Sequence, residues 1–297
     1  KTLLAALLLF SCTPKEEISS YTDYVDPKIG SGGHGHVFVG ANVPFGMVQL
    51  GPTSIPQEWD WCSGYHDSDS TVIGFSHTHL SGTGIGDLFD ITVMPVVGEV
   101  TYGRGREEDP STGMWSYADR SREVARPGYY SVPLTRYGIT AEMTATNRVG
   151  LHRYTFPQSE EAGIVINLMN GGCWDRPMDA QIERVDPMTG QPDPNGQALR
   201  GYRYSRGWAD DQKVYFYAEF SKPFKDFKVI RGDIQIWQDE FKDMAAFAHA
   251  YFEAEPQEQV MMKVALSPVS MEGAYANMKA ELPGWDFEAT AKAADQA

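Results

Sequence analysis

The chain has 297 residues, of which 25 are basic and 40 are acidic, so its formal net charge is −15. A field of this sign repels phosphate backbones and anionic membranes, which argues against nucleic acid as a partner. Hydrophobic residues make up 42% and charged residues 22%, a composition of globular rather than disordered proteins. The length suffices for one large β domain or two ordinary domains.

The first residues read as an export signal. Lys1 is followed by the apolar run 3–10, which is too short to span a bilayer as a helix. The run leads into the tetrad LFSC, which resembles a bacterial lipobox in which Cys12 is lipidated and becomes the mature N-terminus; the alternative is a buried N-terminal strand. We expect residues 1–20 to be a lipoprotein-type signal and tether, exported to the periplasm or the outer-membrane surface, with membrane contact only through Cys12.

The middle of the chain has the pattern of β-strands. Hydrophobic and polar side chains alternate over 214–220 and again over 260–266. Strands do not alternate with helices, so a parallel α/β sheet is not expected. The pattern predicts a mainly β fold, an antiparallel two-sheet β-sandwich. Further strand-like runs, separated by polar turns, are 45–50, 89–93, 129–137, 139–146, 151–156, 164–168 and 234–237.

Two helices are expected at the C-terminal end. The first opens at Ser270 and is broken by Pro283, and the second starts at Asp286, a favourable N-cap residue. No Gly, Asn or Pro stop precedes Ala297, so we expect the protein to continue. The expected parts are a tether over 1–20, a sandwich domain over 21–269, and over 270–297 a helical linker that begins a further domain.

A glycine-rich segment, GSGGHGH, carries His34 and His36. A phosphate-binding loop needs a following helix whose N-terminal amides face the anion, and a β-like stretch over 37–39 follows instead. Phosphate binding is therefore not expected. The glycines permit close approach of the backbone to a ligand or simply form a turn, and both readings stay open.

The segment WDWCSGYH contains Trp59 and Trp61, which share one face if the backbone is extended. Tryptophan rings stack on the apolar face of a sugar, while Asp60 and the nearby Ser and His side chains can bond its hydroxyls. The alternative is that one Trp belongs to the core and Asp60 caps a turn.

The segment FSHTHLSGTGIGD follows. The His77-x-His79 spacing suits a metal pair, but no third ligand stands at an obvious spacing, so no metal ion is assigned to this chain. The loop over 81–86 has no bulky side chains, so its amides and hydroxyls can approach a polyol closely. It lacks the Gly-x-Ser-x-Gly frame of a serine hydrolase. Asp87 and Asp90 suit either a pair of glycosidase carboxylates or a loop anchor and a strand-edge residue.

These segments resemble glycoside hydrolase family 92. The blocks GSGGHGHVFVGANVPFGMVQLGP, WDWCSGYH and GFSHTHLSGTGIGDLFDITVMP occur in this order. The blocks EVARPGYYSVPL, ITAEMTATNRVGLHRYTFP, DQKVYFYAEFSKPF and KVALSPVSMEGA continue the likeness, which runs from about Tyr24 to the last residue. The resemblance implies a calcium-dependent, inverting, exo-acting α-mannosidase that trims N-glycan-type or other α-mannosides. It also implies an N-terminal β-sandwich packed on a C-terminal (α/α)6 barrel, with the active site between them.

The resemblance places the general acid, the general base and most calcium ligands in the barrel, which would begin within 270–297. No catalytic residue is therefore assigned to this chain. It implies that Trp59 contacts the leaving-group sugar and that the SHTHLSGTG loop faces the cleft, with His77, His79 and Asp87 as hydroxyl partners or as residues that shape the loop. The expected substrate-binding residues are His34, His36, Trp59, Asp60, His77, His79, Ser81, Gly82, Thr83, Gly84 and Asp87.

Two cysteines, Cys62 and Cys173, each stand beside a tryptophan. An exported protein can pair them, and two buried thiols are an equally acceptable reading. The sequence alone does not decide between a Cys62–Cys173 disulfide and two free thiols.

Three functions compete. The first is the N-terminal domain of an α-mannosidase, inactive by itself, whose partners are an α-mannoside glycan and its own barrel and whose cofactor is calcium. The second is a non-catalytic carbohydrate-binding β-sandwich module. The third is a purely structural sandwich that supports another domain.

Overall fold

The structure, a computed structural model, describes residues 20–109, 111–169, 171, 175–237 and 240–297. Cys12 and Cys173 lie outside the described residues, so lipidation and disulfide pairing stay predictions. The strands are β1 Gly51–Thr53, β2 Thr71–Val72, β3 Gly74–Ser76, β4 Thr92–Val97, β5 Ser116–Tyr117, β6 Val124–Arg126, β7 Tyr129–Leu134, β8 Ile139–Ala145, β9 Val149–Phe156, β10 Ser159–Asn167, β11 Arg176–Val185, β12 Ala198–Arg206, β13 Gln212–Phe220, β14 Asp226–Trp237, β15 Glu240–Ala254 and β16 Glu258–Ser267. The helices are α1 Met271–Glu281 and α2 Phe287–Gln296.

The strands form two large antiparallel sheets, which confirms the predicted β-sandwich. A six-stranded sheet has the order β1-β3-β4-β10-β15-β14, and an eight-stranded sheet has the order β11-β12-β13-β16-β9-β8-β7-β6. A small third sheet pairs β2 with β5. Within the described residues, neither helix is long and apolar enough to cross a bilayer.

The main core lies between the two large sheets. Because side chains alternate between the faces of a strand, every second residue points inward. Ile164 and Phe252 of the six-stranded sheet meet Tyr154, Phe216 and Val264 of the eight-stranded sheet in one continuous buried cluster. The strict alternation over 214–220 and 260–266 is the sequence signature of this packing.

The two helices pack on the outer face of the eight-stranded sheet. Ser270 and Asp286 cap α1 and α2 by accepting hydrogen bonds from backbone N–H groups three residues later. Met278 of α1 and Phe287 of α2 join outward-facing sheet residues such as Tyr217 in a second buried cluster. The C-terminal helices are thus part of the same packed body as the sandwich.

The prediction of a strand over 45–50 is wrong. Phe45 has a left-handed backbone with φ of 60°, and the N–H of Gly46 bonds to the carbonyl of Val43 at 3.0 Å, which makes a tight turn. Only Leu50 pairs, in an isolated bridge to Ala41. The hydrophobic run reflects burial of its second half and not an extended backbone.

The strand expected over 89–93 begins late, at Thr92. Leu88, Phe89 and Ile91 all have positive φ, between 50° and 75°. Non-glycine residues rarely adopt this conformation, which costs free energy and persists only where the surroundings fix it. The surroundings here are the buried polar contacts of Asp90.

A buried guanidinium joins the eight-stranded sheet to the segment that carries Asp90. Arg203 of β12 is completely buried, and it bonds to Asp90 Oδ1 at 2.6 Å and to the carboxylate of Asp175. Its Nε donates to the carbonyl of Leu168 at 3.0 Å. Burial raises the pKa of Asp175 to about 6 in spite of this arginine. Buried charges are tolerated only when they are paired in this way.

We predict that Arg203→Met destabilises the fold by about 3–5 kcal/mol, because two buried carboxylates lose their partner. The measurement is the free energy of unfolding from chemical denaturation. The matched control is Arg231→Met, which removes an exposed pair with Asp243 at 2.8 Å and should cost less than about 1 kcal/mol. Equal losses in the two variants would contradict the assignment of Arg203 as the buried link.

Candidate functional site

The two tryptophans of the WDW segment point apart. Trp59–Trp61 form a 3₁₀ turn and not an extended strand, so the condition under which both rings would share a face is not met. Trp61 stacks on His66 with ring centres 4.3 Å apart, and its Nε1 donates to Asp69 Oδ2 at 2.7 Å. Trp59 is the one that remains available, with 52% of its surface exposed.

A hydrogen bond fixes the Trp59 indole on the glycine loop. Its Nε1 donates to the carbonyl oxygen of Gly84 at 2.8 Å. A Cβ at residue 84 would stand 2.3 Å from Trp59 Cζ2, far inside van der Waals contact. Glycine is therefore required at this position, because only its bare backbone lets the indole lie on the loop.

Two histidines and Asp60 border the indole. Asp60 Oδ1 lies 2.8 Å from His34 Nδ1 and 3.0 Å from His36 Nε2. The His36 ring meets Trp59 edge-on, with centres 4.2 Å apart, while His34 is largely exposed. The hydrogen bond between His34 and Asp60 raises the pKa of the imidazole and lowers the pKa of the carboxyl. The indole face of Trp59 and the polar pair of His34 and Asp60 thus lie side by side.

The loop over 81–84 is tied to this cluster by backbone contacts. The Gly82 N–H donates to the carbonyl of His36 at 2.8 Å, and the Phe38 N–H donates to Ser81 Oγ at 3.1 Å. The buried thiol of Cys62 points to the carbonyl of Thr83 at 3.6 Å. The glycine-rich segment, the WDW turn and the 81–84 loop, which sequence reasoning treated separately, therefore form one site. We refer to Trp59, Asp60, His34, His36 and Gly84 as the Trp59 site.

His79 lies beneath the loop, buried from solvent. Its Nδ1 donates to the carbonyl of Gln49 at 2.8 Å, and its ring lies between Phe38 and Phe89, with centres 4.8 and 5.1 Å away. Burial lowers its pKa to about 4. The ring is therefore a neutral, fixed packing element.

His77 begins a buried chain of hydrogen bonds between the sheets. Its Nδ1 donates to the carbonyl of Ile91 at 2.6 Å, which leaves Nε2 as an acceptor for His152 Nε2 at 3.0 Å. His152 Nδ1 in turn accepts from the Tyr154 hydroxyl at 2.7 Å. Every donor meets an acceptor when both imidazoles are neutral, and burial lowers the pKa of His77 to about 4 and that of His152 well below its usual value.

The two histidines of the His-x-His pair therefore point to different partners. Of the two roles expected for His77 and His79, burial favours shaping of the loop over contact with hydroxyls. Within the part of the chain that the structure describes, no three His, Cys, Asp or Glu side chains are placed to hold a metal ion. The carboxylates of Asp90 and Asp175 bind Arg203 and so do not supply the oxygen cage that calcium needs.

Asp87 and Asp90 are both buried and both anchor chain segments. Asp87 Oδ2 accepts the backbone N–H groups of Trp208 and Ala209 at 3.1 and 3.3 Å. Asp90 Oδ2 accepts from the Thr78 hydroxyl at 2.7 Å, in addition to the arginine contact of Oδ1. This geometry favours loop anchors over a pair of working glycosidase carboxylates.

Sequence reasoning overlooked three buried polar residues that hold the segments of the site in place, His152, Tyr154 and Glu123. His152 and Tyr154 occupy inward positions of β9, where a polar residue is a readable signal. Glu123 gave no such signal. Its buried carboxylate accepts from Lys28, from Arg120 and, at 3.1 Å, from the Tyr65 hydroxyl, and two of these partners lie 58 and 95 residues away along the chain.

We predict that the protein loses stability as the pH falls below about 6.5. His77 and His79 keep folded-state pKa values of about 4, so the unfolded chain binds more protons between these limits. The contribution is complete above the unfolded value of about 6.5 and is lost progressively toward pH 4, by up to about 1.4 kcal/mol per pH unit for each histidine. Asp175, with its raised pKa, acts in the opposite direction.

The measurement is the free energy of unfolding at several pH values between 6.5 and 5. His77→Gln keeps one donor for Ile91 and one acceptor for His152, and its slope should be shallower by about one histidine's share. Identical slopes for His77→Gln and the unaltered protein would contradict the prediction.

Comparison with known proteins identifies the family. The model of the glycosyl hydrolase family 92 N-terminal domain matches residues 24–267. The chain therefore belongs to glycosyl hydrolase family 92, as the resemblance of its motifs implied.

Solved structures agree in fold. The family 92 α-mannosidase BT3965 of Bacteroides thetaiotaomicron, solved in complex with mannoimidazole, is 35% identical with a TM-score of 0.82, over 93% of this chain and 36% of that one. The inverting mannosidase BT2199 of the same species shares the fold at 23% identity, with a TM-score of 0.71, over 95% of this chain and 36% of that one.

A secreted relative completes the comparison. An uncharacterized secreted glycosidase of Arthroderma benhamiae is 27% identical over 314 residues, which cover 97% of this chain and 38% of that protein. The chain thus spans less than two fifths of the length of each of these relatives.

Proposed function

We propose that this chain is the N-terminal β-sandwich of an exo-acting, inverting α-mannosidase and that it supplies the leaving-group side of the sugar cleft. The observation that carries the proposal is the half-exposed Trp59 indole, held on Gly84 and bordered by His34 and Asp60. An aromatic face with hydrogen-bonding groups at its edge suits a pyranose, which has an apolar face and a rim of hydroxyls.

The substrate class follows from relatives and from charge. BT3965 is an α-mannosidase that was solved with mannoimidazole bound. The net charge of −15 disfavours anionic ligands, and a mannoside is neutral. We infer that the ligand is an α-mannoside glycan, of the N-glycan type or another.

The catalytic groups belong, in this proposal, to a further helical domain. Inverting hydrolysis needs a carboxylic acid and a carboxylate about 6.5–9.5 Å apart, one to protonate the leaving oxygen and one to activate water. Asp87 and Asp90 are buried and engaged as anchors. We therefore propose that residues 21–269 form the sandwich domain and that 270–297 lead into an (α/α)6 barrel, which carries the acid, the base and the ligands for calcium.

Export as a lipoprotein is part of the same proposal. The signal-like residues 1–20 and the lipobox-like Cys12 support it, as does the description of the Arthroderma benhamiae relative as secreted. A neutral glycan outside the cytoplasm is a fitting substrate for an exported glycosidase.

A non-catalytic carbohydrate-binding module is the second candidate. It is favoured by the half-exposed Trp59 indole with His34 and Asp60 at its edge, an arrangement that suits sugar binding without any catalytic carboxylate. The two candidates differ in whether the full-length protein releases mannose, and both require that the chain binds a mannoside.

We predict that the chain binds an α-mannobiose probe and that Trp59→Ala weakens the binding at least about tenfold, since the stacking surface is lost. Gly84→Ala should weaken it comparably, because the new Cβ displaces the indole. Gly284→Ala, which meets no atom within 4 Å, is the matched control. The measurement is isothermal titration calorimetry, with mannose release followed on the same samples.

The outcomes test what both candidates share. Binding without release by this chain agrees with both, release by the full-length protein would favour the mannosidase, and release by this chain alone would contradict the assignment of catalysis to a further domain. Absence of binding, or equal binding by the Trp59→Ala variant, would contradict a role of the Trp59 site in sugar recognition.

A further inference from the structure

The β12–β13 hairpin carries a second group of aromatic side chains, outside the Trp59 site. Arg203 of β12 points into the core, so its neighbours Tyr202 and Tyr204 point outward from the eight-stranded sheet. Tyr215 of β13 stands directly opposite Tyr202 in the register, on the same face. Trp208 lies at the turn that joins the two strands.

The three tyrosines form one ordered array. The rings of Tyr202 and Tyr204 stack with centres 4.3 Å apart and an angle of 23°. Tyr215 meets both edge-on, at 6.1 and 5.8 Å, and its hydroxyl lies 2.9 Å from that of Tyr204. The Tyr202 hydroxyl donates to Asp179 Oδ2 at 3.4 Å. The array is partly exposed and presents ring edges together with phenolic hydroxyls.

The turn holds Trp208 outward. Its backbone N–H and that of Ala209 bond to the buried Asp87, and the Gly207 N–H bonds to the carbonyl of Ala209 at 3.0 Å. A Cβ on Gly207 would stand 2.2 Å from Asp87 Oδ1, so the turn is packed closely on this carboxylate. The backbone is fixed, yet 72% of the Trp208 surface is exposed. A large apolar side chain that projects outward from a rigid turn suits a surface that receives a ligand.

The charges around the hairpin are paired within the protein. Asp179 binds Lys242 at 2.6 Å, Asp211 binds Lys213 at 3.0 Å, and Arg206 binds Asp210 at 3.0 Å. Paired charges leave little net field, which suits a neutral ligand. They also argue against a docked protein, because interface cores are depleted of charge and burial of these pairs would cost desolvation.

The helices leave this part of the sheet face uncovered. Further along β13, Tyr217 is fully buried against Tyr275 of α1. Tyr202, Tyr204 and Tyr215 lie beyond that contact and remain half-buried. The same face thus changes from a helix-packing surface to an open aromatic surface within one strand.

We propose that Tyr202, Tyr204, Tyr215 and Trp208 form a second glycan-binding surface, the hairpin platform, which takes a neutral polysaccharide chain. The exposed indole of Trp208 offers an apolar face for a sugar ring, and the tyrosine array offers ring edges and phenolic hydroxyls for further sugar contacts. Asp87, which anchors Trp208, follows Gly84 by three residues, a span of at most about 11 Å. The turn that carries Trp208 is therefore anchored close to the loop that holds the Trp59 indole.

The test is affinity electrophoresis of the chain in gels that contain α-mannan, a probe whose choice rests on the proposed function. The unaltered chain should be retarded, and Trp208→Ala should raise the apparent dissociation constant about tenfold. This variant keeps the backbone N–H groups that bind Asp87, so the turn is retained. Tyr204→Phe, which removes only a hydroxyl, should weaken retardation by a smaller factor. Tyr117→Ala, at an exposed aromatic residue of the small sheet, is the matched control and should behave as the unaltered chain.

Equal retardation of the unaltered chain and the Trp208→Ala variant would overturn the proposal that the hairpin platform binds glycan. A change in sedimentation of Trp208→Ala without any retardation by mannan would also overturn it, in favour of a protein-docking surface. Failure of the proposed function has a different signature, the absence of a calorimetric signal with the mannobiose probe in the unaltered chain. The two failures are therefore distinguishable.

Discussion

The ion pairs of one buried arginine hold together the segments on which the surface sites stand. Arg203 projects from β12 into the core and binds Asp90 and Asp175. Asp90 in turn binds Thr78, so a single guanidinium connects the eight-stranded sheet with the loop that follows β3. Burial of these charges is costly by itself and is offset only while all partners are present. The left-handed residues on either side of Asp90 depend on this anchor.

A chain of hydrogen bonds between neutral side chains also links the two sheets, in addition to the ion pairs of Arg203. The contacts from Ile91 through His77 and His152 to Tyr154 run from the six-stranded to the eight-stranded side of the core. Because burial disfavours protonation and lowers the pKa of both imidazoles, this chain of hydrogen bonds is neutral at neutral pH. The charged and neutral links together place the 81–84 loop on a rigid base. Binding residues are commonly displayed in this way, on loops held by a fixed scaffold.

Prediction from the sequence succeeded where hydrophobic residues recur at the regular spacing that burial of one face produces. The alternation over 214–220 and 260–266 predicts inward-facing strand residues, and the caps Ser270 and Asp286 predict helix starts, all as the structure has them. These features are local, so their physics can be read from neighbouring residues. The sandwich class followed from them, whereas the family followed from the resemblance of the motif blocks.

Sequence reasoning failed where partners are distant along the chain. Hydrophobicity over 89–93 signals burial, but the positive φ values of Phe89 and Ile91 are imposed by contacts with remote segments. The direction of Trp59 depends on Gly84, 25 residues away, and the 3₁₀ turn that separates it from Trp61 leaves no periodic signal. The assembly of three motifs into one site was likewise not derivable from spacing alone.

The central claim is that Trp59, held on Gly84 beside His34 and Asp60, is a sugar-binding surface. The most direct measurement is a crystal structure of the chain with an α-mannobiose bound. The account predicts that a pyranose ring stacks on the exposed face of the Trp59 indole, with a hydroxyl within hydrogen-bond distance of His34 or Asp60. A sugar bound elsewhere, with the Trp59 indole bare and solvated, would contradict it.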